Sequence, residues 1–276
     1  MKRNILFPTD FSDNSWSAIG YALKLYEEEE CTFFFLNSTA LKVSTLSNLS
    51  NKLLETMKDE ALKELIQIKS LVENNFTNAN HNFQIQLSTK NLTEAIKKAI
   101  KDWNIDMIVM GTKGASGAKE IFFGSNTINV IKHIKDCPVL IVPEGFNFIK
   151  PLQIAFPTDY NRFYSINEII PLMQLANLYN SKIRIVHINV EEELNEVQEY
   201  NLFELQNYLI DYEFSFHWMP KYAKKVVEIN DFIEELGIDI LTMINYKHGF
   251  IEKIIKEPVI NKIGFHPKIP FLVIPE

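Results

Sequence analysis

The fold is indicated most clearly by one segment of the sequence, Met107-Ile-Val-Met-Gly-Thr-Lys-Gly-Ala-Ser-Gly-Ala-Lys-Glu-Ile-Phe-Phe-Gly-Ser125. It opens with four apolar residues, which is typical of a strand buried on both faces. Beyond Gly124 an apolar residue recurs every three positions, at Ile128, Ile131 and Ile134, which indicates a helix. Four of the chain's nine glycines lie between these two segments. A glycine-rich loop therefore joins a buried strand to a helix.

The loop has the chemistry of a phosphate site. Glycine can adopt positive φ and let the backbone approach a ligand, and the N–H groups at the start of a helix favour anions. The loop has neither the Gly-Lys-Ser/Thr of a Walker A motif nor the Gly-x-Gly-x-x-Gly of a Rossmann site. Its pattern is Gly111-x2-Gly114-x9-Gly124-Ser125. The alternative is a surface loop in which the glycines serve turn formation alone.

At this loop the chain resembles the universal stress protein family, whose ATP-binding members carry Gly-x2-Gly-x9-Gly-Ser/Thr between a strand and a helix. Every interval of that pattern is kept here. The resemblance implies a stress-response or regulatory protein that binds an adenine nucleotide, which is ATP or else ADP or AMP. The nucleotide can bind with or without Mg²⁺. The resemblance also implies that the nucleotide lies where the first and fourth strands end, because ligands of such sheets bind at the carboxyl ends of the strands.

Size and composition limit the classes of protein that fit. A chain of 276 residues has room for two units of about 140 residues each. Its net charge of -7 argues against nucleic acid as a partner, because sequence-independent binding needs a basic face. There is no secretory apolar segment and no run of about 18 apolar residues, so we expect a cytoplasmic protein without a membrane partner. The cysteines and histidines lack metal-ligand spacing, and no metal site is predicted.

The first half alternates apolar strands with amphipathic helices. The predicted strands are residues 4–10, 32–36, 83–87, 107–110 and 139–142. The predicted helices begin at Ser12 or Asp13, near residue 49, at Asn91 or Thr93, and after Ser125. Such alternation predicts a doubly wound, mostly parallel sheet of five strands. Residues 83–87 alternate polar and apolar side chains, which indicates an edge strand.

The chain then repeats itself. Phe-Pro-Thr-Asp occurs at residues 7–10 and again at residues 156–159, and the segment 137–144 matches the segment 269–276. Two copies of one fold are therefore predicted, joined near residues 145–151, with domains at 1–146 and 147–276. The expected architecture is two tandem doubly wound parallel five-stranded sheets, Rossmann-like, forming a pseudo-dimer.

The second copy has lost the motif glycines. Counting back from the matched terminal strands places four residues opposite Gly111, Gly114, Gly124 and Ser125: Met243, Tyr246, Lys256 and Glu257. A bulky side chain in the path of the phosphates and a carboxylate at the helix start both oppose phosphate binding. We therefore expect one nucleotide per chain, held by the first copy.

The family's nucleotide contacts, carried over residue by residue, imply a site of ten residues. They are Pro8, Thr9, Asp10 and Ser38 at the first two strand exits, and Met110, Gly111, Gly114, Gly124, Ser125 and Asn126 at the fourth strand and the loop. The resemblance implies that Asp10 reaches the ribose hydroxyls or a phosphate-bound Mg²⁺. Asp159 keeps the same residue in the copy without the loop, so the alternative role for Asp10 is in the turn. Ser38 is polar where the family commonly has an apolar residue.

Catalysis has no identifiable machinery in the sequence. Related enzymes that act on adenine nucleotides need a Ser-Gly-Gly-x-Asp-Ser loop or a His-x-Gly-His motif, and the chain has neither. No general base or transition-state cation can be named, so no catalytic residue is predicted. The alternatives are a nucleotide-independent interaction scaffold and a slow ATP hydrolase. The expected macromolecular contacts are pairing of the two halves through their fifth strands, a further homodimer, and an unidentified protein partner.

Overall fold

The computed structural model describes residues 2–39, 51–112, 124–189, 193–220, 225–246 and 268–276. The chain divides into two units, Met1–Phe148 and Ile149–Glu276. This border lies two residues beyond the one predicted between residues 146 and 147. The assignment of nucleotide binding to the first unit alone stays a prediction.

The first unit alternates strands and helices in the predicted order. Its elements are β1 (Arg3–Pro8), α1 (Asp13–Leu25), β2 (Cys31–Ser38), α2 (Asn51–Asn75), β3 (His81–Ser88), α3 (Leu92–Trp103), β4 (Met107–Gly111), α4 (Ser125–His133) and β5 (Val139–Val142). All pairings within this sheet are parallel, in the order β3-β2-β1-β4-β5. The predicted doubly wound sheet is confirmed, with β3 at its edge. The strand order reverses between β1 and β4, which is where such sheets bind ligands.

Local sequence signals determine where the helices begin. The Ser12 hydroxyl accepts from the N–H of Ser15 at 3.3 Å, and the side-chain Oδ1 of Asn91 accepts from the N–H of Glu94 at 3.0 Å. Each bond satisfies an N–H that has no partner inside the helix. α3 ends at Asn104, which adopts a left-handed conformation with φ of 48°. Both predicted caps are therefore present.

Stacked phenylalanines fill one face of the first sheet. Phe7 lies 5.6 Å from Phe33 and 5.5 Å from Phe35 between ring centroids, and all three are at most 1% exposed. On the other face, Phe34 stacks on Trp103 of α3 at 4.7 Å. Rings of this size bury a large apolar area, which is the main favourable contribution to folding. Packed aromatic side chains on both faces therefore support the strands whose carboxyl ends are described below.

The second unit repeats the first. Its elements are β6 (Gln153–Pro157), α5 (Ile166–Tyr179), β7 (Lys182–Asn189), α6 (Glu196–Tyr208), β8 (Phe214–Pro220), α7 (Lys225–Leu236), β9 (Ile240–Asn245) and β10 (Phe271–Pro275). The strands are parallel in the order β8-β7-β6-β9-β10, which is the order of the first unit. The prediction of two tandem copies is confirmed.

The strand register corrects one part of the predicted alignment. Gly111 of β4 pairs with Val142 of β5, and Ile244 of β9 pairs with Ile274 of β10. Val142 and Ile274 are equivalent, so Gly111 corresponds to Ile244, and the prediction of Met243 was wrong by one position. The reason is that the second copy has one residue fewer between its last two strands. Counting back from the terminal strand shifts the match accordingly.

Candidate functional site

The exits of β2, β1 and β4 lie side by side at one end of the first sheet. Pro8 pairs with Leu36 in the neighbouring strand, and Leu6 pairs with Ile108. Because all three strands are parallel, their carboxyl ends meet at the same edge. The register brings six of the ten predicted site residues to this edge: Pro8, Thr9, Asp10, Ser38, Met110 and Gly111.

The start of α4 is attached to the exit of β4. The N–H of Gly124 donates to the carbonyl of Thr112, and the Thr127 hydroxyl donates to the carbonyl of Gly111 at 3.0 Å. Gly124 is the N-cap, and among the described residues no side chain caps the helix. Ser125 and Asn126 are exposed in the first turn. A helix start without a side-chain cap leaves N–H groups available to an anion.

Three of the residues compared between the copies fall outside the described part of the chain. Gly114 lies in the segment 113–123, and Lys256 and Glu257 lie in the segment 247–267. The roles predicted for these residues stay predictions. The described part of the candidate site consists of the strand exits and the start of α4.

Thr9 is committed to the turn that follows β1. Its N–H donates to the carbonyl of Leu36 at 2.9 Å, and its own carbonyl accepts from the amide of Asn37 at 2.8 Å. Its hydroxyl accepts from the N–H of Phe11 at 3.0 Å and bonds the Ser15 hydroxyl at 2.9 Å. Thr9 is 6% exposed. It therefore shapes the turn, and Asp10 presents the exposed polar side chain there.

The backbone of this turn is strained in the same way in both copies. Phe11 has φ of 67° and its equivalent Tyr160 has φ of 54°. A bulky residue in the left-handed region costs on the order of 1–3 kcal/mol and persists only where neighbouring bonds impose it. The N–H of Tyr160 donates to the Thr158 hydroxyl at 3.1 Å, as the N–H of Phe11 does to Thr9. The Pro-Thr-Asp segment is thus a structural turn in both units.

Asp10 takes part in this turn through one oxygen. Its Oδ1 accepts from the N–H of Ser12 at 3.2 Å and from the Ser12 hydroxyl at 2.6 Å. Its Oδ2 has no bonding partner in the part of the chain that the structure describes. The turn role and the ligand role of Asp10 are therefore compatible, because they use different oxygens.

The equivalent carboxylate of the second copy is occupied on both oxygens. Oδ1 of Asp159 accepts from the N–H of Asn161 at 3.1 Å, and Oδ2 accepts from the hydroxyl of Tyr246 at 3.1 Å. The guanidinium of Arg162 lies 5.0 Å from the centre of the Tyr246 ring and pairs with Glu168. Burial, and then the negative charge of Asp159, raises the pKa of Tyr246 above its ordinary value. Tyr246 therefore stays a neutral donor to Asp159.

Sequence reasoning missed two features of these strand exits. Tyr246 was identified as an obstacle, but the corrected alignment places it opposite Lys113, and its bond to Asp159 was not anticipated. Asn14 is 5% exposed, its Oδ1 has no hydrogen-bond partner among the residues that the structure describes, and a Cβ built on Gly111 would lie 2.4 Å from its Nδ2. Gly111 is therefore required by the packing of α1 against β4. The position of Tyr246 just after a matched strand was a sequence signal for its place at the strand exits. No sequence pattern indicated the role of Asn14.

Ser38 contributes its hydroxyl to the protein. Its Oγ donates to the carbonyl of Lys90 at 2.6 Å, and the side chain is half-buried at the end of β2. Met110 is 6% exposed in β4. The hydroxyl proton of Ser38 is therefore not available to a ligand, although its oxygen can still accept a hydrogen bond. Met110 would offer a ligand its backbone atoms or its apolar surface.

A groove elsewhere in the first unit is separate from these strand exits. It has a volume of about 540 Å³ and is lined by the end of α2 and the start of β3, including Phe76, Asn78 and His81. The start of a parallel strand lies at the opposite end of the sheet from its exit. This groove is not part of the candidate site.

The sheet order and the site at its reversal point define a protein of the doubly wound α/β class. The model of the Universal stress protein family matches residues 1–143. The chain belongs to the universal stress protein family.

Two curated relatives match about half of this chain and nearly all of their own length. The universal stress protein MJ0577 of Methanocaldococcus jannaschii is 29% identical over 165 residues, covering 51% of this chain and 95% of that protein. The universal stress protein YxiE of Bacillus subtilis is 25% identical over 148 residues, covering 51% and 99%. These relatives have the length of one copy of the repeat.

Solved structures extend the fold likeness to the whole chain. A universal stress protein from Archaeoglobus fulgidus has a TM-score of 0.69 and 19% identity, covering 99% of this chain and 96% of that chain. One from Pseudomonas aeruginosa has a TM-score of 0.58 and 13% identity, covering 99% and 93%. At these identities the likeness is one of fold alone.

Proposed function

We propose that this protein is an ATP-binding stress-response or regulatory protein that holds one nucleotide per chain, ATP or else ADP or AMP, in its first unit. The nucleotide lies at the exits of β1 and β4, and the second unit binds none. Family membership and the intervals of the glycine motif support the proposal. Its residues are Pro8, Thr9, Asp10, Ser38, Met110, Gly111, Gly114, Gly124, Ser125 and Asn126.

The observation that carries the proposal is the contrast between Asp10 and Asp159. Both stand in the same turn and both accept a backbone N–H through Oδ1. Oδ2 of Asp159 accepts the hydroxyl of Tyr246, whereas Oδ2 of Asp10 has no partner among the described residues. An exposed carboxylate oxygen beside the reversal point can accept a ribose hydroxyl or bind a cation.

The phosphates are assigned to the start of α4. Gly124 leaves the helix without a side-chain cap, and exposed Ser125 and Asn126 follow it. Backbone N–H groups and the Ser125 hydroxyl are suitable donors to phosphate oxygens. A Mg²⁺ ion bound to the phosphates would neutralise part of their charge. Asp10 is the residue that would hold this Mg²⁺ ion.

The proposal includes no dedicated catalytic activity. Hydrolysis of bound ATP would need a base and a group that stabilises the transferring phosphoryl. Thr9, the hydroxyl residue nearest Asp10 in the chain, is bonded within the turn. Slow hydrolysis and a nucleotide-independent scaffold remain the alternatives that experiment separates.

A pair of matched variants tests the function. Asp10→Asn should weaken ATP binding in calorimetry by about 1–2 kcal/mol, because it replaces a charged acceptor by a neutral one. Asp159→Asn is the control and should leave the affinity unchanged. Equal losses in both variants would contradict the asymmetry. Absence of any ATP binding in the unmodified protein would favour the scaffold.

The proposed partners beyond the nucleotide come from the repeat. Each unit ends its sheet with an apolar strand, β5 or β10, and an unpaired apolar edge is a hazard for aggregation. We propose that the units pair through these strands as a pseudo-dimer, with a further homodimer and an unidentified protein as additional partners. Of the helices that the structure describes, none has the length and apolar character needed to cross a bilayer.

A further inference from the structure

A guanidinium-centred cluster lies on the sheet of the second unit. Nε of Arg184 donates to the side-chain oxygen of Gln153 at 2.7 Å, and its Nη1 donates to the Ser215 hydroxyl at 2.7 Å. The Ser215 hydroxyl also lies 2.8 Å from Nε2 of His217. Arg184, Ser215 and His217 are half-buried. Four polar side chains from three strands thus form one connected network.

The register explains why these side chains meet. Arg184 of β7 pairs with Ser215 of β8, and His217 lies two residues further along β8. Side chains two residues apart on a strand project from the same face. Arg184 and Ser215 stand near the starts of their strands, so the cluster is remote from the strand exits where Asp159 and Tyr246 lie.

Arg184 has no carboxylate partner in the described part of the chain. Three acids on the neighbouring elements have other partners: Glu213 pairs with Lys182, Glu234 pairs with Lys268, and Asp239 accepts from the N–H groups of Leu152 and Gln153. A charge that is partly removed from water without a counter-charge is unfavourable. A bound anion would therefore stabilise the guanidinium, although the chain as a whole is acidic.

The first copy has no such charge at the equivalent place. Phe34 occupies the position of Arg184, and it stacks on Trp103 at 4.7 Å with 8% exposure. The residue equivalent to Trp103 is Leu236, which is 37% exposed. At these two equivalent positions the second copy therefore has an arginine and an exposed leucine, where the first copy has a stacked aromatic pair. Packing alone does not account for an arginine there.

The surroundings of His217 favour its neutral form. Burial, and then the positive charge of Arg184, lowers its pKa from the ordinary value for histidine. Its ring also packs edge to face on Phe232 of α7 at 5.3 Å. While the imidazole is neutral, its Nε2 can accept the hydroxyl proton of Ser215, because the oxygen of that hydroxyl already accepts from Arg184.

We propose that Arg184, Ser215 and His217 form an oxyanion-binding site that takes a phosphate or carboxylate group. The guanidinium keeps donors that the bonds to Gln153 and Ser215 do not use. Such a site is independent of the nucleotide site of the first unit. The second unit would then bind an oxyanion, whereas the first unit binds an adenine nucleotide.

Anion binding at this cluster is coupled to protonation of His217. A protonated imidazole donates from Nε2 to the Ser215 oxygen, and the hydroxyl proton of Ser215 is then free to donate to the anion. The bound negative charge in turn favours the protonated imidazole. The anion should therefore bind more tightly as the pH falls through the pKa that His217 has in the complex.

The test is a titration of the histidine ring signals of the full chain by NMR in three salts of equal ionic strength: sodium chloride, sodium phosphate and sodium acetate. We expect the pKa of His217 to be higher by about 0.5–1 unit in phosphate, in acetate or in both than in chloride. An effect of phosphate alone identifies a phosphate site, and an effect of acetate extends the site to carboxylates.

Two variants localise the effect. Arg184→Gln should abolish the difference between the salts, whereas Lys182→Gln, which removes a cation paired with Glu213 on the same face, should retain it. The unmodified protein keeps the test valid if Arg184→Gln fails to fold. The same His217 pKa in all three salts, or a difference between salts that survives in folded Arg184→Gln, would overturn the proposal.

Discussion

Asp10 and Asp159 occupy the same position of the same turn, and their neighbours give them different chemistry. Tyr246 donates a hydrogen bond to Oδ2 of Asp159, whereas Oδ2 of Asp10 has no hydrogen-bond partner among the described residues. A repeat can therefore keep a turn for structural reasons and change its binding capacity through one tyrosine. The aspartate alone does not predict a ligand.

The close packing of Gly111 against Asn14 leads to a prediction about stability. We expect Gly111→Ala to lower the free energy of unfolding by about 1–3 kcal/mol, because the added Cβ would lie 2.4 Å from the buried carboxamide of Asn14. Urea unfolding of the single and double variants with Asn14→Ala measures the coupling. The double variant should lose less than the sum of the two single losses. Strict additivity would show that the Asn14 contact is not the reason for this glycine.

At the scale of elements, the strands and helices could be predicted because their signals are local. Ser12 and Asn91 cap their helices within three residues, and the alternation along β3 indicated an edge strand. The contact between Tyr246 and Asp159 joins residues 87 positions apart, and its formation depends on packing that no local pattern encodes. The one-residue error in aligning the copies arose in the connection before the last strand, where lengths vary freely.

The start of α4 is the element where we expect the phosphates of ATP to bind. Gly124→Val should reduce ATP affinity at least about tenfold, because its side chain would stand beside the first N–H groups of the helix. The unfolding free energy should fall by no more than about 1 kcal/mol, since valine is a poorer N-cap than glycine. Calorimetry and urea unfolding measure the two effects.

Gly20→Ala is the matched control for Gly124→Val. Gly20 lies inside α1 and has nothing within 4 Å of a built Cβ, so alanine there should be neutral or stabilising and leave ATP binding unchanged. Unchanged ATP affinity in folded Gly124→Val would remove α4 from the site.

At the scale of the whole molecule, buried tyrosines predict the response to alkaline pH. Burial raises the pKa of Tyr26, Tyr160, Tyr164 and Tyr246 above the ordinary value. The unfolded chain ionises these phenols near pH 10, before the folded chain does, so their stabilising contribution is complete below pH 10 and is lost as the pH rises further. Absorbance at the tyrosinate band should show a fraction of the ten tyrosines ionising only with unfolding. Reversible ionisation of all ten in folded protein would contradict this.

The pairing of the two units leads to a prediction about the isolated first unit. Residues 1–148 end with β5, an apolar strand at the edge of their own sheet. We expect this fragment to form a homodimer, because a second copy would cover the edge that the pseudo-dimer proposal assigns to β10. Sedimentation at several concentrations distinguishes the dimer from a well-behaved monomer, which would count against pairing through the fifth strands.

The proposal that only the first unit binds ATP is tested by the stoichiometry of ATP binding to the full chain, measured by calorimetry in the presence of Mg²⁺. The asymmetry between Asp10 and Asp159 predicts one site per chain, with an affinity that is micromolar or weaker because ordering of the glycine loop offsets the gain from charge-assisted bonds. That site should weaken in Asp10→Asn and persist in Asp159→Asn. Two equivalent sites per chain, or a single site that Asp159→Asn removes, would show that the first unit is not the one that binds ATP alone.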